Sequence, residues 1–574
     1  MGLRVSLVTP FAWSRPHDVN DHVRGLADGL RTLGHQVTVL APSTRAADLV
    51  AGRRALLDGV SAEMIALGPA LPVSRRSRIG VPVGVRANLA LALQRGGFDI
   101  VHGFEPALPS LSYLALRDSH ALGVATFLSA ERLAYPPGKP QRERLLSRID
   151  ALLATSSAVA MAAAERLPGD YRVVFPGVDP ELFKPGAKRK RLVLEWRPTE
   201  RPLARSVLRE LRQLDGWELV LLRTKPLSGR PTVPRALAGR VSVRTAREGA
   251  SRAELLNGAA IFIPALDGVE RVALEAAAAG AAIASPPGLR AQPELAGAAM
   301  ARLAEDDDLR EREGRANRAR AEQQTFTRLA REHDELYRGL AKRRRAANGD
   351  DPLDNRDWIV CDLHMHTSWS HDCAVEVSDL LAHAETEGLG AIAITDHNVF
   401  GGALEALAAT TPLTVIPGEE IKTDGQGEVI GLFLTQEIPR GMSFTDTIDA
   451  IHAQGGLVYL PHPFDRMHSI PDAATLRRNL DTIDVFEVYN ARLLFEAYNE
   501  EALRFARKYN LTMGAGSDAH VLQGVGTGAL RMREFHDREE FLVSLRTAQL
   551  LRRPRSLLYL QSLKWAAQAK ERVR

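Results

Sequence analysis

Within residues 358–520, five apolar segments each run into a histidine or a carboxylate, and this repetition constrains the fold more than any other feature of the chain. WIVCDLHMH ends in His364 and His366, whose spacing of two sends both rings off one face of a strand. LGAIAIT stops at Asp396-His397, LTVIPGEE at Glu419-Glu420, GGLVYLP at His462, and NLTMGAGS at Asp518-Ala519-His520. Strands that share one reactive end are the plan of a βα barrel, which gathers its chemistry where parallel strands finish. A lone histidine at a strand end is more often a packed structural residue, but five such ends in one segment point to a convergent site. Imidazoles and carboxylates gathered without cysteine suit Zn, Mn or Fe, and such mixed sites favour paired cations roughly 3.5–4 Å apart.

The 574 residues are too many for one core, so two to four domains are expected. With 74 basic against 70 acidic residues, the chain has no overall field that calls for nucleic acid as a partner. Two cysteines, Cys361 and Cys373, are too few for a disulfide framework, which fits a reducing, cytoplasmic setting. No apolar run reaches the length of about 18 residues that a spanning helix needs. The first residues, MGLRVSLVTP, read as a strand rather than a signal peptide.

Ahead of the histidine-rich segment, strand and helix alternate. LRVSLVT is a continuous apolar run of the kind that suits a strand covered on both faces. Val19, Val23, Leu26 and Leu30 line one face of a helix that Gly34 ends. QVTVLAP, FDIVHG, GVATFL and DALLATS continue the rhythm of a doubly wound sheet over 1–183. RLVLEW, WELVLLR, RVSVRT and AAIFIPA build a second such unit, followed by a charged helical stretch, over 184–345. AANGDDPLDNRD lacks apolar periodicity and serves as a linker at 346–357, which leaves 358–574 as a third domain.

The motifs DLHMHTSWSHDC, ITDHN, PGEEI, PHPFD and GSDAH resemble, in order, those of the PHP (polymerase and histidinol phosphatase) family. The resemblance spans about 358–530 and implies a distorted (β/α)7 barrel that hydrolyses phosphate esters with two or three divalent metal ions (Zn, Mn or Fe). It implies that His364, His366, Glu420 and Asp518 hold one metal and that Asp372, His397 and His520 hold a second. Glu420 bridges towards a third ion served by His462, and Glu428 stands where the family carries another histidine. Asp518 and His520 are therefore the expected catalytic groups. Arg466 and Arg492 are candidates to clamp phosphoryl oxygens of a small phosphorylated substrate, because a guanidinium matches phosphate bidentately. His468 and His371 are left out, the latter because it faces away if its segment is extended.

The first 340 or so residues resemble GT-B glycosyltransferases of family 4, especially phosphatidylinositol mannosyltransferases. TPFAWSRPHDVNDHVRGLADGLRTLGHQVTVLAP, HGFEPALPSLSYLAL, FPGVDPELFKP and DGVERVALEAAAAGAAIAS carry that likeness. It implies a pair of Rossmann-like domains with a nucleotide sugar between them, held by Arg197, Asp267 and Glu275. The departures weigh against turnover. His17-Asp18 replaces the family's Gly-Gly, Leu128 replaces its active-site histidine, and Arg197 with Arg201 is what remains of the diphosphate clamp. An aspartate where backbone amides should meet a diphosphate repels it. The expectation is a metal-dependent phosphoesterase with a degenerate transferase region. A bifunctional enzyme of envelope glycolipid or polysaccharide metabolism and a non-catalytic scaffold remain open alternatives.

Residues 551–574 carry seven Lys/Arg and one Glu among leucines and Trp565. Such a basic amphipathic helix either lies on an anionic membrane at the inner surface or packs on the barrel.

Overall fold

The computed structural model describes residues 2–571 apart from 61, 73–79, 83–84, 108–109, 134–137, 139–141, 143–144, 198–199, 225–231, 267–269, 290 and 345–351. It divides into two compact units, Met1–Ala341 and Lys342–Arg574.

The first unit contains two sheets. One has strands β1 (Arg4–Val8), β2 (Gln36–Ser43), β3 (Met64–Pro72), β4 (Gly80–Pro82), β5 (Ile100–Phe104), β6 (Leu122–Phe127), β7 (Ala151–Ala154) and β8 (Tyr171–Val173). Their order is β4-β3-β2-β1-β5-β6-β7-β8, parallel except at β3–β4. The apolar runs are buried along almost their whole length because helices cover both faces. The second sheet orders β9 (Arg191–Glu195), β10 (Glu218–Arg223), β11 (Val241–Thr245), β12 (Ile261–Ile263) and β13 (Ala282–Ile283) as β11-β10-β9-β12-β13, all parallel. In both sheets the order reverses beside the first strand, where doubly wound folds open a ligand crevice. A cleft of about 820 Å³ between the two halves includes Asp21, Arg24, Glu248, Arg271 and Phe326 in its lining.

The helix Asp18–Thr32 buries the expected face of Val19, Val23, Leu26 and Leu30. The charged stretch resolves into helices Leu295–Glu305, Asp307–Ala321 and Phe326–Ala341, and the last returns to the first sheet. Gly25 and Gly29 make room for it. A Cβ on Gly25 would lie 2.3 Å from the Phe326 ring, and one on Gly29 would lie 2.7 Å from the Ala330 Cβ. Inside the contact, His102 meets Tyr337 Oη and Thr126 Oγ1, each at 2.6 Å, with its ring 5.5 Å from His333. Burial pushes His22 down to about 3, His333 to about 4, and His102 well below the usual range. A histidine near 6.5 when unfolded and neutral when folded stabilises above that value and loses its contribution as pH falls below it. The first unit is therefore expected to weaken on acidification from pH 6.5 to 4, by up to about 1.4 kcal/mol per pH unit for each histidine. Hydrogen exchange of the β5 and Phe326–Ala341 peptides reads this; protection unchanged from pH 7.5 to 5 would contradict it.

The second unit is one sheet. Its strands are β14 (Trp358–Asp362), β15 (Ala391–Ile394), β16 (Thr414–Lys422), β17 (Glu428–Leu432), β18 (Leu457–Leu460), β19 (Val485–Asn490), β20 (Met513–Gly516), β21 (Gly528–Arg533) and β22 (Gln549–Arg552). The order is β20-β19-β18-β17-β16-β15-β14-β21-β22. β14 to β20 run in sequence around a nearly closed barrel. Its seam is joined where Leu363 N–H donates to Ala515 O at 3.3 Å and Met365 bridges Ala519. β21–β22 is an antiparallel hairpin added outside β14. The distortion lies at β17, antiparallel to both neighbours, because the short 423–427 link can join β16 only to an antiparallel strand.

Candidate metal centre

The strand directions bring the histidines and carboxylates together at one mouth of the barrel. His364 and His366 follow β14, His397 follows β15, His462 follows β18, and Asp518 and His520 follow β20. Glu420 lies in β16, and Glu428 opens the antiparallel β17, so it starts at the mouth where its neighbours finish. Four sets of potential ligands result: His366-His397-His520, His364-Glu420-His462, His364-His366-Asp518 and His397-Glu420-Glu428.

Glu420 is the hub. Its Oε2 lies 3.1 Å from His397, 3.3 Å from His364 and 3.5 Å from His366, while its Oε1 is 3.1 Å from His462. Asp518 Oδ1 is 3.5 Å from His366 Nε2 and 4.0 Å from His364 Nε2. Asp372 reaches His520 at 3.0 Å and His397 at 3.7 Å. Glu428 is looser, 3.9 Å from His462. Nε2 of His366 is buried and has no hydrogen-bond partner among the described residues, although two carboxylate oxygens stand at 3.5 Å. A donor atom with carboxylates at ligand-to-ligand spacing fits a shared cation better than a proton, so the residues suit the divalent metals expected.

The charge balance agrees. Burial opposes ionisation of Glu420, yet His364 and His397 beside it hold its carboxyl well below the usual range. Burial likewise opposes charge on Asp518, and Arg492 and His364 outweigh it. Burial would discharge His397 and His462, but the surrounding carboxylates, Glu420 above all, raise both to about 9. His366, buried among His520 and His397, is driven well below its usual value.

Two ligands sit on left-handed backbone, Asp518 at φ 52° and His462 at φ 26°. Non-glycine residues there store about 1–3 kcal/mol each, and such strain clusters at functional sites.

Arg492 is half-buried beside the cluster, donating to Asp518 Oδ1 at 3.1 Å and lying 3.0–3.2 Å from the His520 ring nitrogens. Arg466 does not join it: it is exposed on the turn after His462 and makes none of the described contacts with these groups. His371 is nearer than expected, its ring 5.6 Å from His397, because residues 368–372 form turns rather than an extended segment. In the first unit, Arg197 is buried and paired with Glu195 at 2.5 Å. Glu275 is buried and bound by Arg252 at 2.5 and 2.7 Å, so protein partners already engage both. Asp267 lies outside the described residues.

Sequence reasoning missed the groups that orient the ligands. Glu487, buried on β19, lies 3.1 Å from His364 Nδ1, and accepts from the His462 N–H at 2.5 Å, Tyr459 Oη at 2.8 Å and Asn490 Nδ2 at 3.1 Å. Asp396 accepts from Thr367 N–H, Thr367 Oγ1 and Ser370 Oγ, each at 2.7 Å, which folds the turn carrying Asp372. The signal was present: a glutamate within the apolar run VFEVY has no reason to be buried unless it serves a partner. Carboxylates behind ligating histidines fix tautomer and ring angle. Glu487→Ala is expected to weaken metal binding or phosphoester turnover about 10–100-fold, read by metal titration; unchanged affinity and turnover would remove its orienting role.

The comparisons with known proteins follow the same division. The PHP domain profile matches residues 362–462 and the PHP-associated profile residues 496–550. The Glycosyltransferase Family 4 profile matches residues 19–182. Uncharacterized protein MJ0417 of Methanocaldococcus jannaschii is 36% identical over 210 residues, 34% of this chain and 84% of that protein. The phosphatidyl-myo-inositol mannosyltransferase of Propionibacterium freudenreichii subsp. shermanii is 32% identical over 39% of this chain, but only 58% of that enzyme is covered. A solved sucrose-phosphate synthase from Thermosynechococcus elongatus aligns with 58% of this chain and 98% of its own at 16% identity, TM-score 0.43.

Proposed function

The chain is a PHP-domain protein of the same family as its Methanocaldococcus jannaschii relative, with a family 4 glycosyltransferase region in its first unit, and from that premise we propose that it is a metal-dependent phosphoesterase. The observation that carries this reading is the convergence of His364, His366, Asp372, His397, Glu420, His462, Asp518 and His520 at one barrel mouth. Bound divalent metals supply Lewis-acid polarisation of the phosphoryl group and an activated water. The protein's own residues do the rest. Glu420 and Asp518 hold negative charge in a buried place, Glu487 aims His364, and Arg492 offers a guanidinium for the charge that builds on phosphoryl oxygens. Chelation and metal re-addition with a panel of phosphomonoesters and diesters tests the reading; no hydrolysis with any metal would end it.

We assign the first unit a recognition role rather than transfer. Arg252 and Arg271 occupy Glu275, with Asp21 as their second carboxylate, and a carboxylate already spanned by two guanidiniums is a poor grip for a nucleotide sugar. The cleft of about 820 Å³ favours the second reading, a bifunctional enzyme that also transfers a sugar. Glycosyl-transfer assays with common nucleotide sugars separate the two, since robust turnover lost on Glu275→Ala would establish the second. Contact with an anionic membrane through the tail helix, on which Leu558 and Trp565 stand exposed, belongs to this proposal and is checked by liposome co-sedimentation with and without residues 556–574.

A further inference from the structure

The helix Leu557–Glu571 brings Lys564 to the barrel mouth. Leu558, Tyr559 and Trp565 stand in solvent, whereas Lys564 is 8% exposed. Its ammonium donates to Asp372 Oδ2 at 2.7 Å. That same oxygen lies 3.0 Å from His520 Nε2, and the His520 ring lies 3.0–3.2 Å from Arg492 Nη1. Two cations, one following β19 and one from the last helix, thus reach one edge of the cluster, Arg492 beside the His520 imidazole and Lys564 on the aspartate that the same imidazole meets.

Lysine is rarely buried without a reason, and a partly exposed aspartate could have been left to its histidines. An ammonium is a compact charge with several donors, able to keep Asp372 as one acceptor and take a ligand oxygen as another. Two positive charges at one edge, added to those of bound cations, suit a dianion better than a monoanion.

We propose that Lys564 belongs to the phosphoryl-binding apparatus: with Arg492 it contacts the non-bridging oxygens of a phosphomonoester dianion, so that the last helix completes the site. This rests on the phosphoesterase reading above and narrows its substrate class to monoesters.

The test uses the full-length, metal-loaded protein and its Lys564→Met and Lys564→Arg variants. Inorganic phosphate binding is measured by calorimetry, metal content by elemental analysis, and KM and kcat with one aryl phosphomonoester and one aryl phosphodiester. Lys564→Met is expected to weaken phosphate binding and raise the monoester KM about 10- to 100-fold, with a smaller rise in the diester KM and metal content unchanged within about threefold. Lys564→Arg is expected to recover most of the loss. Unchanged phosphate affinity in Lys564→Met overturns the proposal. Loss of metal in Lys564→Met also overturns it, because the lysine would then act only through Asp372. A protein that binds phosphate through Lys564 but hydrolyses neither ester keeps this inference and sinks the phosphoesterase reading. Absence of phosphate binding by the natural protein sinks the inference whatever the activity.

Discussion

Glu420→Ala is expected to lower phosphoester hydrolysis by more than about a hundredfold and to lower the metal content of the purified protein. The orienting carboxylates of metal sites are already worth about 10–100-fold, and Glu420 stands inside that shell. Its two oxygens lie between 3.1 and 3.5 Å from four histidines, and it belongs to two of the four potential ligand sets. Removing it leaves His364 and His397 without the neighbouring negative charge that offsets their burial. Glu420→Gln separates charge from shape, since it keeps the volume and one acceptor. If Glu420→Gln retains full metal and activity, the hub role is wrong.

Arg252→Met is expected to destabilise the first unit by about 3–5 kcal/mol, the usual result of stripping one partner from a buried ion pair. Arg252 and Glu275 have side chains only 5% and 1% exposed, and Arg252 also reaches Asp21 at 3.6 Å. Arg271 bridges the same two carboxylates, 3.1 Å from Glu275 and 3.5 Å from Asp21. Asp21 is buried enough that desolvation raises its carboxyl above the usual range despite both arginines, so it cannot spare one. Adding Glu275→Leu to Arg252→Met should restore much of the loss, since two apolar replacements leave one buried charge fewer. Urea midpoints of exchange-protected peptides in the first unit report both variants. A change below about 1 kcal/mol for Arg252→Met would mean that Arg271 alone suffices, and the case against a free Glu275 would weaken.

The sequence carried the strand plan well because the relevant patterns are local. Apolar runs such as LGAIAIT and GGLVYLP mark buried strands, and the histidine that follows each of these two runs, His397 or His462, stands at the mouth. Much of the orienting layer was harder to read. Glu487 belongs to the site only because β19 lies beside both β18 and β20, a long-range pairing that no local period reveals. Lys564 looked like one more charge in a basic tail, and only the packing of the last helix distinguishes it from its neighbours. Arg466, next to PHPFD in sequence, is exposed on the turn that follows the left-handed His462 and makes none of the described contacts with the cluster.

Everything proposed for the second unit depends on catalytic metal at the barrel mouth. Elemental analysis of the natural protein and His364→Ala, coupled to hydrolysis of the same phosphoester panel, tests it most directly. The natural protein is expected to hold at least two divalent ions per chain and to hydrolyse at least one ester, with metal reduced and hydrolysis lost in His364→Ala. A protein that retains no metal after purification in metal-supplemented buffer, and cleaves none of the esters, would contradict it.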